Sequence, residues 1–430
     1  MDSSESLLKM LRSTDTRTRE LLNDLNDDQL AVPYHRGINP PIWELGHCGF
    51  FYDFFLLRHL NHQGARMPGY DDVWDSLENY HEDRWRDGAI PNKTTTLDYY
   101  LGIIEDVYAF LKSGDASPHQ LYLCAYSVYH QDMHIESLIQ ARQTLAYPAP
   151  AFTSKMEKPT QTIINPHSLG DAVVPAGSYP IGLPATSPSF EEFCFDNEKP
   201  GFNTELDTFS ISKTLVSCGE FLEFIEDGGY TNKDLWCFGG RHWLREDEHL
   251  HPPSWKKQDG HDGQWLLQRF DGWHPLQPNH PVMLVSFWEA AAYCRWAGRR
   301  LPTEYEWEAA ARGPQGNLYP WGNTMDTARV CMNGKCMGQI AVDDLPQGAS
   351  PFGCLQMLGT AWEWTTNQYL PYDGFCVDMY PYMSTLQFGN HKTTKGGSFA
   401  TSSQLIRNTY RQAYFPSRND VFTGFRTCAL

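Results

Sequence analysis

The chain has 430 residues, 41% hydrophobic and 20% charged, the composition of a globular protein with two or three domains at roughly 150 residues each. Its net charge of −18, from 34 Lys and Arg against 52 Asp and Glu, opposes docking on nucleic acid or an anionic membrane, since both select cationic surfaces. No apolar run of about 18 residues is present to span a bilayer, and the opening MDSSESLLKML lacks the basic and apolar regions of a secretory signal.

A cytoplasmic location and small-molecule partners are therefore expected. Eleven cysteines, an odd number without CxxC spacing, argue against a disulfide framework or a four-cysteine zinc site. Cys331 and Cys336 in VCMNGKC are expected to be reduced thiols in a loop.

In chain order, residues 3–30, 41–61, 95–113 and 118–144 carry apolar side chains at i, i+3, i+4 and i+7, as in SLLKMLRSTDTRTRELLNDL and LDYYLGIIEDVYAFL. That spacing predicts a four-helix bundle over 1–146. The prolines of QTLAYPAPAF end the last helix, and residues 147–170 read as an extended linker. From 171 to 430 the chain turns to Gly, Pro, Trp and short β-prone runs such as FSISKTLVS, with one clear helical pattern in SFWEAAAYCRWAG. The fold class is accordingly α followed by α+β, the second part a single large, loop-rich domain.

The bundle carries a candidate site. SVYHQDMHIESL places His130 and His134 four residues apart on one helix face, and His47 sits on the second predicted helix, whose start is marked by Pro40 and Pro41. Bundles build metal sites from facing helices in this way, so the three imidazoles form a candidate facial triad with open coordination positions. With sixteen histidines in the chain, spacing alone leaves open that these are packed or surface side chains. Gln131 follows His130, so the zinc-protease motif HExxH with its glutamate base is absent. Asp132 and Glu136 are rival ligands, but on a helix Asp132 points away from the His130/His134 face and Glu136 lies only two beyond His134.

Between 280 and 430, HPVMLVSFWEAAAYCRWAGRRLPTEYEWEAAARG, YPWGN, GTAWEWTTNQY, KGGSFATS and GFRTCAL follow one another. In that order they resemble the blocks of the formylglycine-generating-enzyme (sulfatase-modifying-factor) fold, a C-type-lectin-like architecture. Taken alone, Trp307, Trp321, Trp362 and Trp364 are core fillers, and Gly396 with Gly397 permits a tight turn. Near the C-terminus only Cys428 stands where formylglycine-generating enzymes carry a copper-binding cysteine pair, which speaks against that activity.

A DinB-like bundle with one histidine on an early helix and HxxxH on a late one, followed by this second domain, resembles the sulfoxide synthases of ergothioneine, ovothiol and selenoneine biosynthesis. The resemblance implies that His47, His130 and His134 hold iron(II), and that O2 is used to join a cysteine-type thiol to an imidazole carbon. Three neutral imidazoles suit iron(II) and leave positions for thiolate, imidazole and O2. Electrons come from the substrates, in keeping with the absence of a flavin or nicotinamide fingerprint. The two domains are expected to share one active site, the second holding most of the imidazole substrate.

The family uses a tyrosine as proton donor. Tyr380 in YDGFCVDMYPYMS falls where some members place it, with Tyr382 and Tyr80 as alternatives among 22 tyrosines. Arg84 and Arg86 in NYHEDRWRDG resemble arginines that grip the carboxylate of the thiol substrate, a task suited to planar guanidinium forks. After Arg411, the imidazole-contacting stretch reads Gln412, Ala413, Tyr414 and Phe415, with Arg418 beyond. Members using γ-glutamylcysteine tend to show Asn, Trp and Asp there, so free cysteine, or a selenium donor such as a selenosugar, is expected instead. The aromatic faces of Tyr414 and Phe415 suit a trimethylammonium group, which favours hercynine over histidine. No methyltransferase pattern accompanies the two domains, so that methylation is expected of another protein. Two other classes remain open, a metal-dependent hydrolase working through metal-bound hydroxide and a non-catalytic binding module.

Overall fold

The structure is a computed structural model of the chain and describes residues 3–61, 64–152, 169–185, 190, 192–246, 248–258 and 263–430. Two compact units divide it, one reaching to Leu145 and the other built mainly of Cys194–Leu430. The linker expected over 147–170 falls largely on 153–168, outside the described residues.

The first unit is helical: α1 (Ser3–Leu22), α2 (Asp27–Ala31), α3 (Pro41–Tyr52), α4 (Arg58–Asn61), α5 (Asp71–Trp74), α6 (Lys93–Ser113) and α7 (Pro118–Thr144). The single helix expected over 3–30 is broken. Asn26 accepts from the Gln29 backbone N–H at 2.9 Å while the Gln29 side chain accepts from the Asn26 N–H at 3.1 Å, and this capping box starts α2 afresh. The segment 41–61 is also not one regular helix, because a π-helical turn at Asp53–Leu57 separates α3 from α4. Ser117 caps α7 with Pro118 at its first position, and Gly114 in the left-handed region, φ 76°, ends α6.

In the bundle, α1 packs on α6 and α7, and α3 on α6 and α7. Gln131, where a zinc protease would hold its glutamate, is fully buried and ties these four helices together. Its Oε1 accepts from Tyr52 at 2.9 Å, and its Nε2 donates to Thr18 at 2.8 Å and to the Tyr100 hydroxyl at 2.6 Å. Tyr100 donates on to Asp15 at 3.1 Å. A satisfied polar network of this kind fixes one packing of helices that apolar contacts alone specify less sharply.

The second unit mixes short sheets and helices. Strands β1 (Asp171–Val174) and β4 (Phe209–Ser212) pair antiparallel, as do β2 (Gly177–Ile181) and β3 (Phe202–Leu206). A three-stranded antiparallel sheet joins β5 (Trp255–Lys257), β6 (Trp265–Arg269) and β7 (Gly272–Pro275). The largest sheet runs β10-β9-β8-β11, from β8 (Trp362–Gln368), β9 (Lys392–Lys395), β10 (Gln412–Tyr414) and β11 (Thr423–Gly424), with only the β8/β11 pair parallel. Helices α8 (Cys218–Glu226), α9 (Phe238–Glu246), α10 (Phe287–Trp296) and α11 (Glu304–Arg312) complete the unit. Its core gathers Phe221, Phe224, Trp236, Trp255, Trp364 and Phe425. Buried ion pairs cross it, including Arg411–Glu304 at 2.9 Å and Arg426–Glu363 at 2.6 Å. Cys331 and Cys336, expected as reduced thiols, are joined in a disulfide: the loop Met332–Lys335 folds back so that two residues five apart face each other. No helix among the described residues is long and apolar enough to cross a membrane.

Candidate metal centre

His47 comes from α3, and His130 and His134 from α7. Their ligand atoms lie within 4.8 Å of one another, the one group of three or more potential ligands found among the described residues. Nε2 of His130 stands 3.3 Å from Nε2 of His47 and 3.2 Å from Nε2 of His134. Two nitrogens each ~2.1 Å from one ion lie roughly 3.0 Å apart at right angles and about 3.4 Å apart in a tetrahedron, so both spacings suit a shared metal.

The outer nitrogens settle which atoms are free to ligate. Nδ1 of His47 faces the Trp74 carbonyl oxygen at 2.5 Å, and Nδ1 of His134 faces the Glu44 carboxylate at 2.8 Å. Both partners are acceptors, so both Nδ1 atoms carry the proton and both Nε2 atoms present a lone pair. Lone pairs converging on one point repel each other unless a cation sits among them. The donor set therefore fits a divalent transition metal. Burial pushes the imidazoles of His47 and His130 well below the usual histidine range, with the neighbouring His134 adding to the effect, which keeps them neutral and ready to ligate.

Local sequence explains the geometry. Glu44 precedes His47 by three residues on α3 and so shares its face. Its Oε1 accepts from Ser137 at 2.8 Å and from Asn39 at 2.9 Å while Oε2 holds His134. Burial opposes ionisation of Glu44, but His134, Ser137 and Asn39 outweigh it and hold the carboxyl below its usual range. Trp43 stacks on His47 with centroids 4.7 Å apart at 10°, and Phe51 on His130 at 3.8 Å and 15°. Gly46 is required by close approach: a Cβ there would lie 2.4 Å from the Trp74 ring, whose backbone carbonyl orients His47. Sequence reasoning missed Glu44, Trp43, Phe51 and Trp74. For the first two a signal existed, since WELGH places both one helical turn from His47.

The remaining expected site residues are distributed as follows. Asp132 is buried and accepts from Thr14 on α1 at 2.8 Å, away from the histidines. The Arg84 guanidinium lies 3.8 Å from the Trp43 ring centroid and donates to Asn39, one stacked ring from His47. Arg86 is exposed and pairs with Asp83, so the two arginines are not brought together. Tyr80, in the same unit, is 78% exposed. In the second unit Tyr380 is buried, and its ring stacks with Tyr382 at 6.0 Å and 25°. Gln412 and Tyr414 lie on β10, Phe415 stacks on His391 at 4.0 Å, and Arg418 pairs with Asp420.

Residues 10–136 match the DinB superfamily, and residues 160–429 match the sulfatase-modifying factor enzyme 1-like domain. Over 444 residues the chain is 30% identical to the hercynine oxygenase of Mycolicibacterium smegmatis, covering 99% of both chains. It is likewise 30% identical to the hercynine oxygenase of Mycobacterium tuberculosis, again over 99% of both. The formylglycine-generating enzyme of Mus musculus is 29% identical over 60% of this chain and 74% of its own.

Proposed function

The chain belongs to the hercynine oxygenase family of sulfoxide synthases and is an oxygenase, and on that premise we propose that it joins a cysteine-type thiol to the imidazole of hercynine, using iron(II) and O2. The observation that carries the metal part of this reading is the convergence of three imidazole nitrogens, two of them with tautomers fixed by Trp74 and Glu44.

Bound iron(II) would supply a place for thiolate, imidazole and O2 to meet and a route for electrons between them. The overall reaction balances without an external reductant. Forming the C–S bond from R–SH and the imidazole C–H releases two electrons, and oxidising the sulfide to the sulfoxide releases two more. Four electrons reduce O2, one of whose oxygens leaves as water while the other stays in the sulfoxide.

The chain's own groups supply binding and protons. His47, His130 and His134 would hold the metal; Glu44 and the Trp74 carbonyl orient the rings of His134 and His47; Trp43 and Phe51 cover the imidazoles of His47 and His130. Arg84 is proposed to attract the carboxylate of the thiol substrate, with Arg86 further out. Gln412, Tyr414, Phe415 and Arg418 are proposed to hold hercynine, the aromatic faces receiving its trimethylammonium group. Tyr380 is proposed to deliver the proton from Oη that reduced oxygen requires, with Tyr80 and Tyr382 as the alternatives.

The test is an incubation of the iron(II)-loaded protein with O2, hercynine or histidine, and in turn cysteine, γ-glutamylcysteine and a selenosugar, followed by mass spectrometry. A coupled sulfoxide from hercynine and cysteine supports the reading. Coupling only with the selenosugar moves the chain to C–Se chemistry, and coupling only with histidine to the ovothiol type.

A further inference from the structure

Tyr380 stands at the start of a tight turn. Met383 N–H donates to the Tyr380 carbonyl at 3.2 Å and Ser384 N–H to the Pro381 carbonyl at 3.1 Å, so residues 380–384 form one hydrogen-bonded turn. Two adjacent buried residues far away in sequence grip this turn. Asp196 Oδ2 accepts from the Ser384 hydroxyl at 2.7 Å and from the Asp378 N–H at 3.1 Å. Asn197 Nδ2 donates to the Met383 carbonyl at 3.2 Å, an oxygen that also accepts from the Tyr369 hydroxyl at 3.2 Å.

The same pair reaches the strand that carries Gln412 and Tyr414. Asn197 Nδ2 lies 3.4 Å from the Arg411 carbonyl, and the Arg411 guanidinium donates back to the Asn197 carbonyl at 2.8 Å. Arg411 is itself immobilised by Glu304 at 2.9 Å and by the Leu370 carbonyl at 2.9 Å. Lys199, just beyond the pair, adds an ion pair to Asp378 at 3.7 Å.

A fully buried carboxylate is a costly way to fill space unless donors converge on it. Here both donors to Oδ2 outside its own segment come from the tyrosine-bearing loop. If that loop lifts, the carboxylate loses them, so the grip works in both directions.

We propose that Asp196 and Asn197 are positioning residues that fix the Tyr380 turn against the Gln412–Tyr414 strand, and so set where the Tyr380 hydroxyl meets the imidazole substrate. The proposal rests on the reading of Tyr380 as proton donor. A structural tie alone would hold the loop; the further claim is that the hold governs how turnover divides between coupled product and simple oxidation of the thiol to sulfinate.

The test uses the full-length, iron(II)-loaded chain with Ser384→Ala, which removes one donor to Asp196 and keeps the Tyr380 side chain itself; Asp196→Asn serves where Ser384→Ala folds poorly. Two quantities are read: amide hydrogen exchange across 378–384, and the ratio of coupled product to sulfinate. The expected result is at least about tenfold faster exchange confined to that turn, with unchanged iron content, and a ratio lowered about tenfold, because small misplacement of a reacting group is expensive. In a Tyr380→Phe background the same substitution should lower the ratio no further. Unchanged exchange overturns the clamp, and an undiminished effect on the ratio in the Tyr380→Phe background overturns its action through Tyr380. If Tyr380→Phe alone leaves the ratio unchanged while exchange still rises, the donor reading has failed, not the clamp, and the positioning role falls with it.

Discussion

Glu44 Oε2 lies 2.8 Å from His134 Nδ1, a contact that joins α3 to α7 across the candidate metal centre. It holds the ring in the tautomer that directs Nε2 inward and makes that nitrogen more basic. Glu44→Gln preserves the shape of the side chain but removes the charge. The expected outcome is a 10- to 100-fold weaker hold on iron(II), the usual range for loss of such a partner, read by competition with a chelator. Equal affinity in the variant would mean that the carboxylate serves only to pack the helices.

His134→Ala removes a ligand outright. A three-ligand site rarely survives with two, so metal retention and turnover should disappear together while the helical signal in circular dichroism stays. Elemental analysis of the purified variant checks this. Stoichiometric iron, or full activity without metal, would contradict the assignment.

Tyr380→Phe takes away one hydroxyl. Iron content and substrate affinity should change little, whereas C–S coupling should fall on the order of 10²-fold, the scale of a lost general acid, with sulfinate formation persisting or rising. The ratio of the two products is the measurement. If it stays at the wild-type value, the role passes to Tyr80 or Tyr382, each tested by the same substitution.

In the second unit, burial pushes the Glu289 carboxyl up to about 7 from 4.5, although Tyr230 and Ser286 both donate to it. Below 4.5 the group is protonated in folded and unfolded chains alike, and its contribution is fully present. Between 4.5 and about 7 the folded chain holds a proton that the unfolded chain has released, so stability falls as pH rises through this window, by about 3 kcal/mol at the upper end. Glu289→Gln should flatten that slope. Urea midpoints at about pH 5 and about pH 8 measure it, and an unchanged slope would assign the pH dependence to other groups.

The three histidines were legible because a helix makes i and i+4 neighbours, and because Pro40 and Pro41 announce where the facing helix starts. The four long helices were legible from periodicity, but the break at Asn26 was not. There apolar spacing continued through a polar cap, and the Asn26 and Gln29 capping box was the overlooked signal. The π-helical turn after Tyr52 leaves the apolar pattern of DFFLL unchanged and so had no signature. Glu44 was missed for a different reason. A glutamate in a helix ordinarily marks the solvent face, so its place one turn before His47 was passed over, and the role of its carboxylate depends on a partner from α7, ninety residues away. Gln131 told against a protease-type base from its identity alone, yet its place at the centre of the bundle's polar network depends on side chains from three other helices.

The central claim is that the three-histidine centre uses iron(II) to spend O2 on hercynine and a thiol. The most direct measurement compares the same preparation loaded with iron(II) or with zinc(II), each supplied with hercynine and cysteine, in air and without oxygen. Coupled sulfoxide is expected only with iron(II) in air, with O2 consumption equal to the sum of coupled sulfoxide and sulfinate formed. Coupled sulfoxide from the zinc-loaded protein, or from the iron-loaded protein without oxygen, would contradict the account, as would its absence from the iron-loaded protein in air.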